Sequence, residues 1–190
     1  SRYINKIIVS TEHDKIIYLA KKAGATLVYK RDKKLSEDRI RQVDVVIELV
    51  NSLKNKFKFS EYCILLQTTT PFINVKDLNK SINIHLKNNK GQVLTTSSLN
   101  INPSDLYIQK NESLKKVYKS QIISNQRQLH PKLFVANGAV RIFKLKYLLE
   151  KGEFFNIDQK ILNSIIPEDR SLNLDEMTDW NLAIKKLRKI

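Results

Sequence analysis

Short β-branched apolar runs alternate with helix-period segments through the first hundred residues, and this alternation restricts the fold more than any other feature. The run Ile4 to Ser10 reads as a buried strand, and Ile16, Leu19, Ala20 and Ala23 follow at helical spacing until Gly24 stops the helix. Ala25 to Tyr29 is a second strand. A polar stretch then leads into a longer helix that carries Val43, Val46, Ile47 and Val50 on one face. Tyr62 to Gln67 (YCILLQ) is almost wholly apolar, as a strand covered on both faces requires, and Thr70-Pro71 ends it. A helix over about Asp77 to Lys87 and a strand in QVLTTSSL complete the series. Strands alternating with helices predict an α/β fold with an open, mostly parallel sheet and helices on both faces.

The rhythm then changes. Residues 100–136 are polar and irregular, with hints of short strands and no periodic helix. So long an irregular stretch in a compact domain is an excursion with a job, a lid or a dimerisation arm. AVRIF returns to the sheet, and the chain closes on a helix with Trp180, Ala183, Ile184 and Leu187 on one face, which Thr178 is placed to cap. With no internal repeat or linker, residues 1–190 are expected to form a single domain.

The formal charge of +15 raises the question of nucleic acid. The basic residues are dispersed in pairs such as Lys21-Lys22, Lys33-Lys34 and Lys115-Lys116, without the interleaved aromatics of a stacking platform. A solvated basic surface that attracts a small anionic substrate is the better reading, and no nucleic-acid partner is expected. No apolar run nears the roughly 18 residues of a membrane span, and the N-terminus lacks a signal-peptide pattern. The one cysteine, Cys63, cannot form an internal disulfide. A cytoplasmic location is expected.

In open α/β sheets ligands lie beyond the carboxyl ends of the strands. There the sequence places Ser10-Thr11-Glu12, Lys30-Arg31, Gln67 to Pro71, Asn137-Gly138 and Asp175. Each alone reads as a turn or a surface residue, and Asn-Gly is a common left-handed corner. Together they offer hydroxyls, amides, a guanidinium and a carboxylate, a set suited to a phosphate, sugar or nucleotide rather than to a hydrolase triad.

The order of motifs resembles that of the acylneuraminate cytidylyltransferases, which activate nonulosonic acids with CTP. IIVSTEHDKIIYLAKKAGATLVYKR is similar to the family's second βα unit, LSEDRIRQVDVVIELV to its Leu-Ala-x-Asp and helix, and LLQTTTPF to its Gln, Pro-Thr-Ser-Pro-Leu strand end. NQRQLHPKLFVANGAVRIF resembles the Arg-Gln, Pro, Asn-Gly-Ala-Ile-Tyr stretch, and SLNLDEMTDWNLA the Ser-Ile-Asp-Ile-Asp segment before a helix. The resemblance covers nearly the whole chain and implies a Rossmann-like nucleotidyltransferase that works as a homodimer.

It further implies that Arg31 contacts the CTP side of the site and Gln67 the sugar acid. Arg127, Asn137 and Gly138 fall at positions near the acceptor sugar. Phe154 and Phe155 match an aromatic pair near the sugar, whose other reading is core packing. Asp175, with Asn173, would hold Mg²⁺. The implied reaction is attack by the anomeric hydroxyl on the α-phosphate of CTP, which depends on positioning and charge neutralisation rather than a covalent intermediate.

Four positions depart from the family pattern. Its Asp-x-Asp is here Asn173-Leu174-Asp175, which removes one anionic metal ligand. Arg141 ends the Asn-Gly-Ala motif, and Asn102 to Asp105 lack the basic residue expected after the proline. Finally, the family begins with a strand and a Gly/Arg/Ser/Lys-rich loop that holds the triphosphate. That segment is expected upstream of Ser1, so the polypeptide as written should bind CTP poorly and turn over little, whereas the complete protein is an enzyme. The alternatives are a nucleotidyltransferase for another sugar acid or nucleotide, and a non-catalytic nucleotide-sugar-binding or regulatory protein.

Overall fold

The computed structural model describes residues 1–117 and 131–188. In chain order its elements are β1 (Ile8–Thr11), α1 (Asp14–Lys22), β2 (Leu27–Lys30), α2 (Gln42–Leu53), β3 (Tyr62–Leu66), α3 (Val75–Lys87), β4 (Val93–Leu99), β5 (Tyr107–Lys110), β6 (Ser113–Lys116), β7 (Leu133–Lys144), α4 (Leu145–Lys151), β8 (Leu162–Ile165) and α5 (Met177–Leu187). The α/β architecture is the one the alternating pattern predicts. Strands β1 and β2 pair in parallel, with Ser10 opposite Tyr29 and Thr11 opposite Lys30. The larger sheet runs β3-β7-β4-β8 and is mixed, since β3 and β7 are antiparallel with Ile64 opposite Ile142. Between β4 and β8 the bonds Leu162 N to Gln92 O and Ile166 N to Thr96 O advance together along both strands, as in a parallel pair.

Contacts divide the chain into two compact units, each assembled from three stretches of sequence. The first comprises residues 1–66, 74–94 and 140–164. Its core is the cluster Val43, Phe143 and Leu148, against which Val46, Ile47, Cys63, Leu65, Phe154 and Phe155 pack. The periodic face read on α2 is the face that is buried. Leu148 is wholly inaccessible, and truncating such a leucine to alanine typically costs about 2–5 kcal/mol. Asn74 and Asp77 close a reciprocal capping box at the start of α3. At its far end His85 Nδ1 meets Gly91 O at 2.8 Å and its ring lies edge-on to Tyr62.

The second unit comprises residues 67–73, 95–139 and 165–190. It holds the hairpin β5-β6, the outer parts of β4 and β7, and α5. Buried Thr95, Thr96, Ala139, Ile166 and Ala183 belong to it.

Several details differ from expectation. The first strand begins at Ile8 rather than Ile4, and α1 buries no residue: Ile16 and Leu19 are each about half exposed. On α5 only Ala183 is buried, while Trp180 and Leu187 stay exposed. Periodicity defines an apolar face, but only a neighbouring element covers it. The start of α5 is organised by Asp179 rather than Thr178: Asp179 Oδ2 accepts the N–H of Asp175 at 3.0 Å and of Glu176 at 2.9 Å. Strand β7 runs through Asn137-Gly138, which sequence reads as a corner, because Gly138 takes a left-handed φ of +71° within the strand. Helix α4 and strand β8 have no counterpart in the sequence reading; both are short, and α4 exposes most of its residues.

Candidate functional site

In the second unit the segment that follows β3 meets two other segments. Past Leu66 the ladder continues by one bond, Gln67 N to Ala139 O at 3.4 Å. Thr70 then closes a turn, its N–H and hydroxyl both donating to Gln67 O at 3.2 and 2.8 Å. The Gln67 side chain lies across Gly138, where a Cβ would collide with its Oε1. An alanine at 138 would push aside only the flexible end of Gln67, so glycine is required here for its φ. The neighbouring Asn137 is buried, with its Oδ1 accepting from Ala139 N at 3.3 Å and its Nδ2 donating to Ser97 Oγ at 3.0 Å.

The same turn holds the segment before α5. Leu174 N donates to Thr69 O at 2.8 Å, which sets Asn173 and Asp175 on either side of that bond. Asn173 Nδ2 donates to Asp175 Oδ2 at 2.5 Å, and Asp179 fixes the Asp175 backbone. Two oxygens, Thr69 Oγ1 and Asn173 Oδ1, are buried without a partner among the described residues. Buried polar atoms are rarely left unbonded, so these two mark a place for a polar ligand or water. The segments that carry Gln67, Asn137–Gly138 and Asn173–Asp175 are thus linked by hydrogen bonds through Ala139, Thr69 and Leu174, although they span more than a hundred positions in sequence.

In the first unit the parallel pairing of β1 and β2 brings Ser10-Thr11-Glu12 beside Lys30-Arg31. Arg31 Nε donates to Glu12 Oε2 at 3.1 Å and to Ser36 Oγ at 2.9 Å, and its Nη2 lies 2.9 Å from the same Glu12 oxygen. The Glu12 carboxyl is held below its ordinary pKa, first by its own backbone N–H and the Ser36 hydroxyl and then by Arg31. Phe154 packs edge-on to Phe143 at 5.1 Å, and both Phe154 and Phe155 border the core cluster. Arg141 lies over the Phe154 ring at 5.6 Å and donates to Gln42 Oε1 at 2.6 Å, with burial lowering its pKa. Arg127, and part of the excursion at 100–136, lie outside the described residues.

Among the described residues no three His, Cys, Asp or Glu side chains gather as a metal cage. What Asp175 and Asn173 offer instead is one carboxylate and one amide oxygen, the latter buried and unpartnered. Such hard oxygen donors fit Mg²⁺, which is commonly held by one or two carboxylates together with substrate phosphates and water. Two surface hollows of about 470 Å³ lie elsewhere, one lined by Lys76, Lys80 and Lys87 of α3 and one by Phe59, Glu61 and Leu149; no site residue lines either.

Glu12 stood among the strand-end residues without a role of its own. Thr69 stood there likewise, within Gln67 to Pro71, and sequence reasoning missed Ser97 and Asp179. Ser97 sits in a strand with four successive hydroxyl residues, Thr95 to Ser98, an unusual run for the middle of a sheet and the one available signal.

Amides, hydroxyls and a carboxylate beside a mixed α/β sheet are the donor set of a nucleotide- or sugar-handling α/β protein. The family model for cytidylyltransferase matches residues 1–173, and the chain belongs to that family. It is 26% identical over 186 residues to the CMP-N,N'-diacetyllegionaminic acid synthase of Legionella pneumophila, covering 95% of this chain and 77% of that protein. The synthase of the same name from Campylobacter jejuni is 27% identical over 187 residues, covering 96% and 77%. The post-translational flagellin modification protein B of Campylobacter coli is 24% identical over 185 residues, again covering 96% and 77%. A solved CMP:2-keto-3-deoxy-manno-octonic acid synthetase, complexed with CTP, shares the fold with a TM-score of 0.65 at 11% identity, covering 98% of this chain and 82% of its own.

Proposed function

We propose that the protein transfers CMP from CTP to a nonulosonic acid of the sialic or legionaminic type, and that residues 1–190 work as one nucleotidyltransferase domain. The observation that carries this reading is the hydrogen-bonded meeting of the segments that carry Gln67, Asn137–Gly138 and Asn173–Asp175, in a chain of the cytidylyltransferase family. The anomeric hydroxyl of the sugar acid attacks the α-phosphorus; the new O–P bond forms as the bond to the β-phosphate oxygen breaks, pyrophosphate leaves, and the hydroxyl proton passes to solvent or base.

In this reading the Gln67 and Asn137 amides orient the sugar acid and Gly138 gives Gln67 its room. Arg127, Phe154 and Phe155 serve the same substrate. Arg31 faces the phosphates of CTP, held in place by Glu12 and Ser36. Asp175 and Asn173 would hold Mg²⁺, which when bound neutralises phosphate charge as the leaving group departs.

A homodimer is part of the proposal. In the hairpin β5-β6, Ile108 and Val117 lie on one face and Tyr107 and Leu114 on the other, and all four are substantially exposed. A hairpin that exposes apolar side chains on both faces is suited to a second copy. Among the described residues no helix is long and apolar enough to cross a membrane. The half-buried free thiol of Cys63 suits the reducing cytoplasm, where we place the protein.

The test is to incubate the full-length gene product with Mg²⁺, N,N'-diacetyllegionaminic acid or N-acetylneuraminic acid, and CTP, UTP or ATP. Release of pyrophosphate with formation of a CMP-sugar from CTP alone is the expected result. Equal turnover of all three nucleotides, or no transfer to either acid, would overturn the reading.

A further inference from the structure

Ser97 lies on β4 outside every role assigned above, and the direction of its bond to Asn137 can be deduced. The backbone N–H of Ala139 can only donate, so the Asn137 atom it meets is the amide oxygen. The atom facing Ser97 is therefore the NH₂ group, which also only donates. It follows that the Ser97 oxygen accepts, and that its own proton is left to point elsewhere. No described residue accepts that proton. Asn137 keeps one further N–H beyond the bond to Ser97. A half-buried hydroxyl donor and an amide donor stand side by side next to Gly138, so whatever faces them must bring acceptor oxygens.

We propose that Ser97 is a substrate-contacting residue whose hydroxyl, held as an acceptor by Asn137, donates to a carboxylate or hydroxyl oxygen of the sugar acid. This rests on the reading of Asn137 as a sugar-acid residue. A serine that merely supported the fold would be felt equally by both substrates and by stability. One that contacts the sugar acid is felt by that substrate alone.

Steady-state kinetics of the full-length gene product and its Ser97→Ala and Ser97→Thr variants test this, with thermal unfolding measured alongside. In Ser97→Ala the KM for the nonulosonic acid used by the wild type should rise about tenfold, the loss typical of one hydrogen bond to a polar or charged ligand. The KM for CTP and the Tm should not move, and Ser97→Thr, which keeps the hydroxyl, should restore the wild-type value. An unchanged sugar-acid KM in Ser97→Ala, or an equal rise for CTP, would overturn the proposal. If the wild type itself transfers CMP to no nonulosonic acid, the functional reading fails first and takes this inference with it. A working wild type with an indifferent Ser97→Ala sinks the role of Ser97 alone.

Discussion

The Gln67 side chain crosses Gly138 so closely that a Cβ at 138 would stand well inside 3.0 Å of its Oε1, a separation that real Cβ atoms essentially never show. Gly138→Ala must therefore displace Gln67 and also hold a φ of +71°. The left-handed conformation alone costs an L-residue about 1–2 kcal/mol. Urea unfolding should show at least that loss, and part of it should vanish in a Gln67→Ala background, because truncating Gln67 removes the collision but not the strain. A loss of the same size in both backgrounds would show that the two residues do not press on each other.

Asp175 is the one carboxylate of the proposed metal pair. Asp175→Asn should lower CMP transfer on the order of a hundredfold, the scale of removing one group that stabilises developing charge. Asn173→Asp should act in the opposite sense and reduce the Mg²⁺ concentration that gives half-maximal activity. Chelation with EDTA should abolish transfer. A Mg²⁺ titration of all three proteins checks these outcomes together.

Glu12 is held below the usual carboxylate pKa in the folded chain. A group whose pKa is lowered by folding stabilises the protein above its unfolded-state value and loses that contribution as pH falls through the folded one. Wild type should therefore be more stable than Glu12→Gln at pH 7, with the gap closing as pH drops below the carboxylate range. Denaturant midpoints at pH 7 and pH 3 read it directly. An equal gap at both would show that the charge of Glu12 is not what Arg31 and Ser36 hold.

Burial pushes the Cys63 thiol up to about 11, and its Sγ faces Ser60 O at 3.7 Å. At pH 8 the thiolate is scarce, so reaction with a disulfide reagent should run about a hundredfold slower than for a free cysteine. In urea the thiol should react at the ordinary rate, which a stopped absorbance assay can compare.

Exposed apolar side chains on both faces of the β5-β6 hairpin underlie the dimer proposal. Ile108→Asp with Leu114→Asp should shift the mass seen by light scattering from dimer toward monomer while leaving the Tm of the fold nearly unchanged. A wild type that is already monomeric would dismiss the proposal.

The sequence by itself determined the α/β alternation, the helical face of α2 that packs on the Phe143 core, and the residues at the ends of β1, β2 and β3. Those are local properties: period, breaker residues and the polarity of the positions after each apolar run. The order of motifs also pointed to the cytidylyltransferase family before any geometry was known. The tertiary structure alone decided which polar groups meet. Nothing local tells that Leu174 binds Thr69, that Asn137 donates to Ser97, or that Gln67 lies over Gly138, because each pairs segments far apart in the chain. It also decided what periodicity could not: α1 and α5 carry apolar faces in sequence yet leave them largely exposed, since burial depends on a neighbour that no pattern within the helix specifies. Asn-Gly read as a corner and proved to lie within β7, where a left-handed Gly138 is followed directly by the cross-strand bond from Gln67 N to Ala139 O.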